Sequence, residues 1–155
     1  PYTVIPGVTA AFAAAAALGV EYTLPEVSQT LILTRLSGRT PVPKSESLAS
    51  LATHRATMAI YLSMSMVDEM TRILSTAYGS KGACAVVYRA SQPDQKILWT
   101  TTGELAATVK KEKITRTALV VVGRVLDVSL ETLVHHSKLY DRHFAHGYRE
   151  AKDQR

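Results

Sequence analysis

Three short apolar runs, rich in branched side chains, constrain the fold more than any other feature: residues 30–35 (TLILTR), 58–63 (MAIYLS) and 118–126 (ALVVVGRVL). None alternates strictly with polar residues. Each therefore reads as a strand covered on both faces, the pattern of a sheet held between helical layers. Two further runs, 83–89 (ACAVVYR) and 97–101 (ILWTT), flank a short polar connection at 91–96 that contains Pro93. A link of that length predicts an antiparallel hairpin.

Helical segments fall between the strands. The alanine-rich stretch after Pro6-Gly7 and residues 67–77, which stop before Gly79, are the clearest. Residues 103–113 carry Glu104 in the first turn and a lysine cluster in the last, an order that matches the helix dipole. Residues 48–53 suit a shorter turn of helix, and 38–47, with Pro41 and Pro43, read as an exposed loop. Strands alternating with helices, plus one hairpin, give an α/β fold with a mixed sheet. Residues 1–128 are expected to form the domain. Residues 129–155, with Leu130, Leu133 and Val134 at helical spacing, are expected to form a helical tail resting on a partner surface. The strand-like run 2–5, ahead of the Pro6-Gly7 turn, reads as a junction with a preceding domain.

Composition narrows the class of partner. With 46% apolar residues the chain can build a core, yet no run of eighteen apolar residues is present, so no membrane span is expected. No basic segment precedes the apolar stretch 8–18, which argues against a signal peptide. A single cysteine, Cys84, excludes an internal disulfide and suits a reducing, cytoplasmic compartment. The net charge of +5 admits an anionic partner. The scattered basic residues, without a long Lys/Arg run and with little aromatic interleaving, speak against nucleic acid, but a polycarboxylate small molecule fits the charge equally well and charge alone does not choose.

Few side chains advertise chemistry. Pro6-Gly7-Val8-Thr9-Ala10 puts a hydroxyl at the start of a helix, where Thr9 is placed to cap it and free amides to face a carboxylate; an ordinary strand–turn–helix joint has the same spacing. His135, His136, His143 and His146, with Asp141, resemble a ligand cluster, but no cysteine accompanies them and their neighbours are charged. No protein metal site is expected. Cys84 lies within an apolar run and reads as a core residue. No Gly-x-Ser-x-Gly elbow surrounds Ser63, Ser65 or Ser91, and no phosphate-binding glycine motif occurs. The four methionines read as packing. Arg35, Arg39, Lys44, Arg89 and Arg116 fall at predicted strand ends or in loops, where ligands of open α/β sheets gather.

Longer runs carry a family resemblance. The segment VIPGVTAAFAAAAALGVEYTLPEVSQTLILTRLSGRTPVP (4–43) resembles the opening of the second domain of tetrapyrrole methylases. LASLATHRATMAIYLSM, AVVYRASQPDQKIL, ITRTALVVVGRVL and SKLYDRHFAHGYR follow in the family's order, so the likeness covers nearly the whole chain. Leu24-Pro25-Glu26-Val27-Ser28-Gln29-Thr30 looks most like the branch that methylates C-11 of precorrin-4 or cobalt-precorrin-4 in cobalamin biosynthesis.

The resemblance implies a homodimeric two-domain α/β enzyme with S-adenosylmethionine in the cleft between domains. It also implies a missing amino-terminal domain, without which this half is expected to be inactive. The positions that look like cofactor contacts are Thr9, Ala10, Leu62, Ala90, Thr117 and Ala118, and Arg35, Arg39 and Arg89 are candidates for the substrate's carboxylates. Leu62 stands where related methylases often carry methionine, a volume-conserving change. No residue stands out as a catalytic base, and any cobalt belongs to the substrate's ring. Two other readings remain open: a sister methylase acting on uroporphyrinogen III or precorrin-3, and a non-catalytic module that binds an acidic partner.

Overall fold

A computed structural model describes residues 2–127, together with Ala145 and Gly147. Five strands form one mixed sheet: β1 (Leu31–Arg35), β2 (Thr57–Tyr61), β3 (Ala83–Tyr88), β4 (Lys96–Thr101) and β5 (Ala118–Val122). Their spatial order is β1-β2-β5-β3-β4, so the last strand in sequence occupies the middle. β1 and β2 are parallel, with Leu31 opposite Thr57 and Arg35 opposite Tyr61. β5 runs antiparallel to both of its neighbours, pairing Val120 with Ile60 on one side and with Val86 on the other. β3 and β4 form the expected hairpin.

Two apolar layers explain why β2, β3 and β5 read as continuous apolar runs. On one face Met58, Ile60, Val86, Val120 and Val122 pack against Met70 and Leu74 of α3 (Val67–Tyr78) and Leu105 and Val109 of α4 (Leu105–Lys111). The short helix α2 (Leu48–Ala52) adds Leu48 and Ala52 to the same cluster. On the other face Ala59, Val87, Leu119 and Val121 meet Ala11 and Ala14 of α1 (Ala10–Leu18). Alanine lets α1 lie close to the strands. It ends at Gly19, whose left-handed backbone (φ 67°) no β-carbon hinders, with the Gly19 and Val20 amides returning to Ala16 and Ala15 carbonyls.

The ends of several elements differ from the sequence reading for local reasons. β2 stops at Tyr61 because Leu62 turns left-handed (φ 50°), leaving Ser63 outside the strand. β5 stops at Val122, where Gly123 adopts φ 152° against Thr57; a β-carbon there would approach the Thr57 Cα to 3.0 Å. A 3-10 turn over Arg124–Leu126 follows. The run 2–5 joins no helix or strand, and Tyr2, Val4 and Ile5 are more than four-fifths exposed; no described strand lies beside it to supply hydrogen bonds. The loop 38–47 contains a 3-10 turn at Lys44–Glu46. The predicted tail, 129–155, lies outside the described residues apart from Ala145 and Gly147, as do the four histidines and Asp141.

Candidate functional site at the strand carboxyl ends

The parallel relation of β1 and β2, and the antiparallel relation of β5 to both β2 and β3, point the carboxyl ends of β1, β2 and β3 the same way. Each end carries a residue singled out in the sequence: Arg35, Leu62 and Arg89. Open α/β sheets bind ligands beyond this edge. Here it holds a cavity of about 360 Å³, lined by Ala10, Leu62, Arg89, Ala90, Thr117 and Ala118 among others. Five of the six expected cofactor contacts therefore converge on one space. Thr9, the sixth, lines an adjoining groove of about 510 Å³ with Arg35, and Tyr61 and Leu62 belong to both.

The backbone at this edge is unusual. Leu62, Arg89 and Thr117 are all left-handed, with φ of 50°, 50° and 56°. Such a conformation costs a non-glycine residue about 1–3 kcal/mol and persists only where surrounding structure imposes it. The sheet supplies that constraint: the Arg89 amide donates to the Thr117 carbonyl at 2.9 Å, extending the β3–β5 ladder by one rung as both chains turn away. The turns leave small side chains (Ala90, Ala118) and main-chain groups at the cavity wall.

Two phenols fix the first turn of α1. Thr9 occupies the N-cap position, yet its side chain makes no capping bond, unlike the arrangement expected from sequence. Its Oγ1 instead lies 2.6 Å from Tyr61 Oη, and Tyr61 Oη accepts from the Ala11 amide at 2.8 Å. From the buried side, Tyr22 Oη donates to the Ala11 carbonyl at 2.8 Å. Burial, followed by the neighbouring Tyr61, pushes the Tyr22 phenol up to about 12. Sequence reasoning missed Tyr61; its only trace was a polar-tipped aromatic at the end of an apolar run.

The arginines divide. Arg35 donates to the carbonyls of Leu36, Thr40 and Pro41 at 3.0–3.1 Å, pinning the loop beside the groove. Arg89 donates to Gln92 Oε1 at 2.8 Å and pairs with Asp94, stacking 5.8 Å from the Tyr88 ring centre. It still lines the cavity, tethered by its own hairpin loop. Arg39 is exposed and lines neither space.

Other candidates prove structural. Cys84 is fully buried, and burial pushes its thiol up to about 12, which suppresses the nucleophilic thiolate. Ser63 is also buried, accepting from the Leu36 amide at 2.9 Å and donating to the Tyr61 carbonyl at 2.6 Å. Met58, Met64 and Met70 are core residues. Among the described residues no group of three potential metal ligands exists, and no helix is long and apolar enough to cross a membrane.

Known proteins share this architecture. The family model for Tetrapyrrole (Corrin/Porphyrin) Methylases matches residues 1–106. The chain belongs to the tetrapyrrole methylase family. It is 49% identical over 149 residues to the cobalt-precorrin-4 C(11)-methyltransferase of Methanocaldococcus jannaschii, covering 96% of this chain and 56% of that protein. To the precorrin-4 C(11)-methyltransferase of Pseudomonas aeruginosa it is 50% identical, covering 81% and 50%. The X-ray structure of a cobalt precorrin-4 methyltransferase superposes with a TM-score of 0.77 at 41% identity, covering 81% of this chain and 53% of that one. A uroporphyrin-III C-methyl transferase from Thermus thermophilus, complexed with S-adenyl homocysteine, shares the fold at 21% identity and a TM-score of 0.61. This methylase chain thus spans about half the length of the curated relatives it matches.

Proposed function

We propose that the chain is the carboxy-terminal part of a two-domain enzyme that transfers a methyl group from S-adenosylmethionine to C-11 of precorrin-4 or cobalt-precorrin-4, in cobalamin biosynthesis. The observation that carries this reading is the convergence of Ala10, Leu62, Ala90, Thr117 and Ala118 on one cavity at the strand carboxyl ends, in a chain about half identical to a cobalt-precorrin-4 C(11)-methyltransferase. On this reading residues 1–128 form the domain and 129–155 its tail, with an amino-terminal domain closing the cleft. The enzyme acts as a cytoplasmic homodimer.

The site suits the cofactor. A cavity of about 360 Å³ lies within the range of small-molecule sites, and its alanines let a ligand approach the main chain. When bound, S-adenosylmethionine supplies an already activated methyl group. The residues of this chain orient the donor and exclude water. Arg89, held at the cavity wall by Gln92 and Asp94, offers its remaining guanidinium donors to a substrate carboxylate.

Calorimetric titration with S-adenosylhomocysteine tests the assignment. The 155-residue chain would be compared with a version extended by the amino-terminal portion of the Methanocaldococcus relative. Binding confined to the extended protein is the expected outcome. Binding by neither would overturn the cofactor assignment, and tight binding by the short chain alone would overturn the shared cleft. Light scattering of the extended protein, expected to give a dimer mass, checks the oligomeric state.

A further inference from the structure

We propose that Tyr61 is a positioning residue of this site: its phenol, bridging Thr9 Oγ1 and the Ala11 amide, sets the first turn of α1 where Thr9 and Ala10 face the ligand. The inference rests on the methylase reading of the cavity and adds a role that cavity lining alone does not give. α1 is an alanine helix, so it has few large side chains to fix its position along the sheet. Its N-cap hydroxyl makes no bond to its own helix. What registers its start against the strands is a pair of phenols on the main chain of one residue, Tyr61 on the Ala11 amide and Tyr22 on the Ala11 carbonyl, both at 2.8 Å.

The two phenols have different consequences. Tyr22 is 4% exposed and reaches α1 from within the core. Tyr61 sits on the last residue of β2, at the wall between the cavity and the groove, and also touches Thr9. An Ala11 amide deprived of the Tyr61 oxygen is left buried without that acceptor, since Ala11 is 0% exposed. The nearest relief is a shift of the turn, which carries Thr9 and Ala10 away from the places they hold at the groove and the cavity. Tyr61→Phe keeps the ring and its packing while removing both contacts.

The test uses the extended protein and S-adenosylhomocysteine as the probe. Tyr61→Phe should raise its Kd by roughly 10-fold, the scale of one to two lost net hydrogen bonds. Thr9→Val added to Tyr61→Phe should weaken binding less than about 2-fold further, because the Thr9 contact is already lost; strong non-additivity is the signature of one coupled unit. Tyr78→Phe is the control. Its phenol donates to the Ala56 carbonyl at 2.6 Å on the opposite helical layer, so its loss lowers stability without touching α1. Its Kd should match wild type. Wild-type affinity in Tyr61→Phe, additive effects of Tyr61 and Thr9, or equal weakening by Tyr78→Phe would each overturn the positioning role alone. A wild-type protein that binds no probe would overturn the methylase reading and this one together.

Discussion

Replacing Thr117 separates backbone strain from side-chain contact, because the residue is exposed and left-handed at φ 56°. An L-residue in that region loses about 1–2 kcal/mol relative to its right-handed alternatives. Glycine escapes the penalty but gives up about 0.5–1 kcal/mol through the greater freedom of its unfolded chain. Thr117→Gly should therefore be more stable than Thr117→Ala by about 0.5–1 kcal/mol, or about 2 °C in Tm for a chain of this size. At an ordinary strand position the same pair would differ with the opposite sign, so the test reads a sign. Urea unfolding followed by the fluorescence of the single tryptophan, Trp99 on β4, is the assay. Trp99 lies opposite Ala85, so its signal reports the pairing of β3 with β4. An alanine variant as stable as glycine, or more so, would refute the claim that the sheet imposes strain at this edge.

The buried acids predict a second behaviour. The Tyr22 and Tyr78 phenols rise from 10.0 to about 12 and the Cys84 thiol from 9.0 to about 12, in each case chiefly through burial. Each group loses its proton more readily unfolded than folded. The stability they protect is thus fully present below about pH 9 and falls as pH rises toward 12; a urea midpoint unchanged between pH 8 and 11.5 would contradict this. Cys84 should resist an aromatic disulfide reagent at pH 8 in the folded chain and react once urea unfolds it, and prompt reaction of the native protein would show the strand to be open. Leu74→Ala, at a fully buried position between α3 and the sheet, should cost about 3 kcal/mol in the same urea assay. A loss below 1 kcal/mol would mean that the α3 layer collapses to fill the space.

The sequence carried the elements well because their signals are local. The apolar run Leu119–Val122 has no alternation, and all of its residues are buried; the Pro93-containing link is short, and β3 and β4 pair across it. What the residues could not display was long-range placement. Nothing in the run at 118–122 states that it enters between β2 and β3, since that depends on which edges are left free after the earlier strands pair. The small residues named through the family resemblance are gathered by the fold at one edge. The place of Tyr61 was illegible, because its partners Thr9 and Ala11 lie some fifty positions away. The arginines show why: a charge at a strand end has the same sequence signature whether it faces open space or, like Arg35, donates to the carbonyls of its own loop.

The central position of β5 also makes closure of the sheet depend on a single strand. Without residues 118–122 the sheet divides into two pairs, β1 with β2 and β3 with β4, whose inner edges have no other partner among the described strands. Both edges wait for residues 118–122, and sequence-distant pairing of this kind closes late. The same few residues bring Thr117 and Ala118 to the cavity wall. Closing the sheet and forming this cavity wall therefore depend on the same residues. A change that weakens the pairing of β5 would open two sheet edges, each a template for aggregation, and would loosen the cavity wall at the same time.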